Sequence, residues 1–138
     1  MPRYDRYHDV VRQALIKEGW TITDDPFVLR FGKERLYADL GAEKTYAAEK
    51  GEQKIVVEIK VFGSASLTTE LERAVGQYGV YRTLLKRQHP HRMLYLAVPY
   101  DVYADFFQWS AVQEIIIDHQ LHLLIFEPET QEIIQWIN

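Results

Sequence analysis

Asp39, Glu58 and Lys60 have the types and spacing to handle a phosphodiester. Glu58 and Lys60 stand two residues apart inside the otherwise apolar run Ile55-Val56-Val57-Glu58-Ile59-Lys60-Val61-Phe62. Side chains on a strand alternate between faces, so Ile55, Val57, Ile59 and Val61 share one face and Val56, Glu58, Lys60 and Phe62 the other. The first face is wholly aliphatic, as a strand packed onto a helix requires, and the acid and base point together away from it. In the preceding strand, Arg35 to Gly41, the same period separates Leu36, Ala38 and Leu40 from Tyr37, Asp39 and Gly41. A suitable register between the two strands brings Asp39 to Glu58 and Lys60.

Two carboxylates on adjacent strands can hold a hard divalent cation such as Mg²⁺ or Mn²⁺, which prefers oxygen ligands and keeps several waters. The ion acidifies a bound water and shields phosphate charge, while a neighbouring lysine orients or deprotonates that water and stabilises the developing negative charge. The plainer reading is an ion pair on a partly exposed sheet face, worth about 0.2–1 kcal/mol. Glu-x-Lys alone favours the plainer reading. An acid on the prior strand and a long helix after the pair shift the balance towards chemistry.

The elements that must position these residues follow from periodicity and punctuation. Tyr4 to Glu18 place Tyr7, Val10, Val11, Ala14 and Leu15 at helical spacing before Gly19. Trp20 to Thr23 reads as a short strand, Asp24-Asp25-Pro26 as a turn, and Phe27 to Phe31 as a strand ending at Gly32. After Arg35 to Gly41, a charged segment from Glu43 to Lys54 leads into the strand Ile55 to Phe62. Ser66 is a plausible N-cap, with Glu70 in the first turn of a helix running to about Gln88, whose apolar face uses Leu67, Leu71, Ala74, Val75, Tyr78, Tyr81 and Leu85. Met93 to Val98 is a strand, Asp101 to about His119 mostly helix, and Leu121 to Phe126 with Glu132 to Ile137 a hairpin. The expected class is α/β or α+β: a helix, an antiparallel meander, a crossover helix, a further strand, then a C-terminal helix and hairpin around a mixed sheet.

Composition limits what such a site can serve. The chain has 138 residues, the size of one domain, with ordinary apolar and charged fractions of 47% and 26%. Cysteine is absent, which excludes disulfides, thiolate metal sites and cysteine nucleophiles. No apolar run approaches a membrane span, and no secretory signal opens the chain, so a cytoplasmic location is expected. The net charge of −4 runs against broad phosphate binding and requires any nucleic-acid contact to be local.

Asp39 followed by Glu58-Ile59-Lys60 resembles the signature of the PD-(D/E)XK nuclease superfamily, although Ala38 stands where the name has proline. The resemblance implies one restriction-endonuclease-like domain over residues 1–138, with Asp39 and Glu58 as metal ligands and the Ile59 carbonyl as a further oxygen. It implies Lys60 as the residue acting on water. Gln77-Tyr78-Gly79-Val80-Tyr81 is similar to the Gln-x-x-x-Tyr element that some subfamilies place beside the site, which makes Gln77 a candidate, and His8 or Asp9 falls where related resolvases carry an acid. Over nearly its whole length the chain also resembles the XisH family, controlling factors for excision of a DNA element interrupting a nitrogen-fixation gene in cyanobacteria. The stretches ALIKEGWTITDDP (Ala14 to Pro26), YADLGAEK (Tyr37 to Lys44), VVEIKVF (Val56 to Phe62) and AVGQYGVYR (Ala74 to Arg82) carry that likeness. It implies a role in site-specific excision with DNA, a recombinase and a small companion protein as partners. The alternative is a catalytically inactive protein that keeps the nuclease fold and binds DNA or the recombinase complex, since function resides in the site and not the fold. An RNA-processing nuclease is a weaker third reading.

Arg82, Lys86, Arg87, His89, His91 and Arg92 form the one basic concentration, a phosphate-binding rim or, more plainly, cations at a helix C-terminus. Tyr100, Tyr103, Phe106, Phe107 and Trp109 are dense enough for base stacking but spaced as core. No metal role is assigned to His89, His91, His119 or His122. The C-terminal hairpin with Trp136 could pair a sheet edge with a second subunit, making a homodimer.

Overall fold

The computed structural model describes residues 3–45 and 52–138. Helix α1 (Arg3–Lys17) leads into β1 (Thr21–Asp24), the hairpin β2 (Phe27–Phe31) and β3 (Glu34–Ala38), then β4 (Leu40–Thr45) and β5 (Glu52–Ile59). The long helix α2 (Leu67–Gln88) crosses to β6 (Arg92–Pro99), followed by α3 (Tyr100–Ala104), a 3₁₀ turn (Phe106–Gln108), α4 (Ser110–Asp118), β7 (Leu123–Glu127) and β8 (Glu132–Ile137). The main sheet has the strand order β1-β4-β5-β6-β7-β8, parallel at β5–β6 and β6–β7 and antiparallel elsewhere, while β2 and β3 pair separately. This mixed sheet with helices agrees with the expected α+β, nuclease-like class.

Alternation along the strands produces two apolar layers. Ile55, Val57 and Ile59 pack with Val10, Val11 and Leu15 of α1, as the aliphatic face of the strand requires. The opposite face is also covered: Val56 and Phe62 join Leu71, Ala74 and Tyr78 of α2 and the 3₁₀ turn residues Phe106 and Phe107. The face carrying Glu58 was expected to be partly exposed, and it is instead buried because α2 and the 3₁₀ turn lie on it. The strand is also shorter than its apolar pattern, ending at Ile59, although the Lys60 N–H still bonds the Ala97 carbonyl on β6. Phe62 then takes a left-handed φ of 54°, which turns the chain out towards the cap of α2.

The expected strand Arg35 to Gly41 is divided at Asp39. Ala38, the last residue of β3, is buried in the α2 layer, whereas Leu40 and Ala42 are buried in the α1 layer. The chain therefore crosses from one sheet to the other at Asp39, and the uniform alternation expected through this stretch does not hold. Gly41 makes the crossing possible, because a Cβ there would come within 2.8 Å of the Phe27 ring, which folds back over it. The described ends of the charged segment are strand, with β4 reaching Thr45 and β5 starting at Glu52, and its residues 46–51 lie outside the described ones. The C-terminal hairpin forms as expected, although its first strand starts at Leu123, and β8 is the edge of the main sheet. Trp136 packs on Trp20 and Tyr95 within the chain.

The cap of α2 is as expected. The Ser66 hydroxyl accepts the Thr69 N–H at 3.2 Å, and the Glu70 carboxylate accepts the Ser64 N–H. These bonds satisfy donors that would otherwise be orphaned at the helix start. Among the described residues no helix is long and apolar enough to cross a membrane.

Candidate active site

The β4–β5 register determines what meets at the crossing. Leu40 pairs with Val57, so one step outward along the same antiparallel pairing Asp39 lies opposite Glu58. The contact is reciprocal. Asp39 Oδ2 accepts the Ile59 main-chain N–H at 2.8 Å, and the Asp39 main-chain N–H donates to the Glu58 carboxylate. Asp39 and Glu58 are the buried acids among the described residues, 5% and 7% exposed. Lys60, half-buried, comes just past the end of β5, close enough for its charge to act on Glu58.

Electrostatics make this pair costly as it stands. Burial, and then the Asp39 charge, push the Glu58 carboxyl from its ordinary value of 4.5 up to about 8, against the weaker pull of Lys60 and the Asp39 N–H. Glu58 Oε2 is buried with no hydrogen-bond partner. Lys60 forms no ion pair with a described carboxylate and acts on Glu58 only through its longer-range charge. The ordinary Glu–Lys ion pair that competes with a chemical reading is therefore not formed. Two close carboxylates, one with a buried unused oxygen, fit a hard divalent cation. Among the described residues no three acidic or histidine side chains group as a metal cage. A cation here would thus rest on two carboxylates, a main-chain oxygen and water, a donor set suited to Mg²⁺ and not to a zinc site.

Helix α1 and the turn before β2 bring further polar side chains beside Asp39. His8 Nε2 lies 2.8 Å from Asp25 Oδ1, and its Nδ1 lies 3.9 Å from Asp39 Oδ1. Arg12 donates to Asp25 Oδ2 at 2.7 Å. Of the two α1 candidates, His8 faces the site and Asp9 is exposed. Asp25, read from sequence only as a turn residue, is the anchor between His8 and Arg12. Its acidic neighbour and the following proline announce a turn, and nothing in the local pattern announces a contact across the fold.

Gln77 is brought near the site but turned to a different task from the expected one. Its amide donates to Tyr81 Oη at 3.0 Å, and Tyr81 Oη donates to the Tyr37 carbonyl at 3.0 Å. Burial raises the Tyr81 hydroxyl, with the Glu58 and Asp39 charges adding to the rise, so Tyr81 lies within their field. The chain Gln77–Tyr81–Tyr37 thus ties α2 to the end of β3, two residues before Asp39.

The basic concentration after α2 is divided by the fold. Arg92 lies between Asp24 and Glu43 and donates to the Ile55 carbonyl, while Arg82 donates to the His119 carbonyl. Lys86 and Arg87 remain exposed in the last turn of α2. Phe106 and Phe107 are buried against Phe62, which removes them from base stacking.

Comparison with known proteins follows the same lines. The XisH protein family matches residues 1–134. The crystal structure of an XisH family protein from Nostoc punctiforme PCC 73102 is similar at 41% identity and a TM-score of 0.88, covering 97% of this chain and 100% of that one. That of an fdxN element excision controlling factor protein from Anabaena variabilis is similar at 43% identity and a TM-score of 0.88, covering 97% and 99% of the two chains. No curated protein matches the sequence.

Proposed function

The chain belongs to the XisH family, and from that premise we propose that it is a DNA element excision controlling factor whose Asp39–Glu58–Lys60 site hydrolyses phosphodiesters with Mg²⁺ or Mn²⁺. One observation carries the reading: the buried, unpartnered Glu58 Oε2 beside a second carboxylate, with Lys60 in no ion pair among the described residues. A buried carboxylate pair of this kind is relieved either by a proton on Glu58 or by a cation, and a bound cation would take the place of that proton.

Asp39, Glu58 and the Ile59 carbonyl are the groups that would hold the ion. When bound, it supplies screening of phosphate charge and acidification of a water. Lys60, whose charge reaches Glu58 and which forms no ion pair among the described residues, would orient the attacking water and stabilise negative charge on the phosphoryl oxygens. The Ile59 N–H holds Asp39 in place, and the His8–Asp25–Arg12 chain lies behind its other oxygen. DNA, a recombinase and a small companion protein are the proposed partners.

The test is cleavage of duplex, branched and single-stranded DNA by purified protein with Mg²⁺ or Mn²⁺. Lys60→Ala should abolish cleavage while the fold survives, because among the described residues its side chain makes no ion pair and its main-chain bond to Ala97 is kept. Absence of cleavage on every substrate, with excision in cells unaffected by Lys60→Ala, would overturn the proposal. Burial of both carboxylates favours a second reading, a non-catalytic member that retains the fold to bind DNA or the recombinase complex. Excision that survives Asp39→Asn, together with a stable protein partner, would select it.

A further inference from the structure

The β2–β3 hairpin stands apart from the main sheet, and its two faces are chemically opposite. Phe27, Leu29 and Ala38 are buried and Leu36 packs beside them, while Val28, Arg30, Arg35 and Tyr37 face outward and are exposed. Register places Arg30 directly opposite Arg35 and Val28 opposite Tyr37.

Arg30 and Arg35 face each other at a position where side chains come closest. The Arg30 main-chain N–H and carbonyl do not reach β3: they bond the Gln88 side chain at the end of α2, at 2.9 and 2.6 Å. Arg30–Arg35 is thus a non-hydrogen-bonded pair, the closer of the two antiparallel pair types. Like charges directly opposite destabilise a ribbon. Among the described residues neither guanidinium has a carboxylate within ion-pair distance. Lys33 in the turn adds a third cation, against the single acid Glu34, in a chain whose net charge is −4.

The ribbon is also held stiffly. Gln88 clasps the β2 edge, and Tyr81 bonds the Tyr37 carbonyl on the β3 edge, so α2 grips both sides. At its base the hairpin runs straight into Asp39. Arg35 lies four residues before Asp39, about 13 Å along an extended strand and therefore about four base steps of a duplex.

We propose that the outward face of this hairpin, with Arg30, Lys33, Arg35 and Tyr37, holds the phosphate backbone of duplex DNA and leads it to the Asp39 end of the ribbon. The proposal rests on the reading of the site as acting on DNA. A two-stranded ribbon fits the major groove, and an anion between Arg30 and Arg35 converts their repulsion into a paired contact. A group of exposed cations without ion-pair partners among the described residues then falls where the substrate must enter.

The experiment compares wild type with Arg30→Gln/Arg35→Gln by fluorescence anisotropy of a labelled duplex in EDTA, so that cleavage does not intrude. The double variant should bind about tenfold or more weakly, and the slope of log affinity against log salt should fall by about 2, at about 0.9 per lost phosphate contact. Its thermal midpoint should equal or exceed that of wild type, because a repulsive pair has been removed. Equal binding by wild type and variant overturns the hairpin proposal, and if wild type also cleaves DNA the hydrolytic reading stands without it. Displacement of the duplex by polyglutamate as readily as by unlabelled duplex overturns it as well, assigning the face to an acidic protein. Wild type that binds no duplex removes the proposal, and the cleavage assay then decides the site separately.

Discussion

Asp39 and Glu58 hold each other through the main chain: the Asp39 N–H donates to the Glu58 carboxylate while Asp39 Oδ2 takes the N–H of Ile59, the residue after Glu58. The two acids therefore cannot move apart without breaking both bonds, and the closeness that keeps Glu58 protonated beside the Asp39 charge is built into the crossing between the sheets. That relation generates the first three expectations below.

Asp39→Ala should destabilise the protein by about 1–3 kcal/mol, since it leaves the buried Ile59 N–H without an acceptor. Asp39→Asn retains an acceptor and should cost less, and without the negative charge the Glu58 carboxyl should titrate lower. Urea midpoints and a ¹³C carboxyl titration of Glu58 measure the two effects. Equal stability of the two variants would mean that the bond to Ile59 contributes little.

Stability should depend on pH through Glu58. In the unfolded chain this carboxyl ionises near 4.5, whereas in the folded protein it holds its proton to about 8. Between those values the folded state binds more protons, so its contribution is full below about 4.5 and is lost as pH rises through 8. Glu58→Gln removes the loss. The variant should gain on wild type as pH rises, reaching on the order of 1–4 kcal/mol at pH ~9, read from the difference between two denaturation series.

Mg²⁺ or Mn²⁺ should raise the thermal midpoint of wild type more at pH ~8.5 than at pH ~6, because protons compete with the ion for Glu58. Asp39→Asn and Glu58→Gln should each flatten that response. A shift of equal size at both pH values and in both variants would locate the ion elsewhere on the protein.

Gly41→Ala should destabilise by about 1–3 kcal/mol through forced overpacking, as the new Cβ would meet the Phe27 ring at 2.8 Å and Asp24 at 3.2 Å. Gly76 and Gly79 on α2 are the internal control. A Cβ at either meets nothing within 4 Å, so alanine there should stabilise by about 0.5–1 kcal/mol through helix propensity. Thermal melts of the three single variants separate the effects.

How much of this was legible in the chain differs residue by residue. Ser66 as N-cap, the apolar face of α2 and the C-terminal hairpin follow from local chemistry, because caps, helical period and strand alternation each act within a few residues. Asp39 was placed correctly beside Glu58 but for an incomplete reason. A single alternating strand was expected, and the chain instead changes sheets there, an event visible only once Phe27 is seen resting on Gly41. Gln77 was near the site with another partner, since a helix position determines which way a residue faces and not which hydroxyl it meets. Arg92, counted with a basic rim, is drawn into Asp24 and Glu43, which are remote in sequence.

The sequence by itself determined that Ile55 to Phe62 carries an aliphatic face and a face with one acid and one base, because a strand's period of two leaves no other assignment. It also determined that any chemistry there must use oxygen and nitrogen ligands, in a chain without cysteine. The tertiary structure alone decided that Glu58 is buried, because α2 and the 3₁₀ turn cover that face. It likewise decided that Asp39 adds a second negative charge at Glu58. Burial and charge proximity are sums over groups far apart in the chain, and only the folded arrangement computes them.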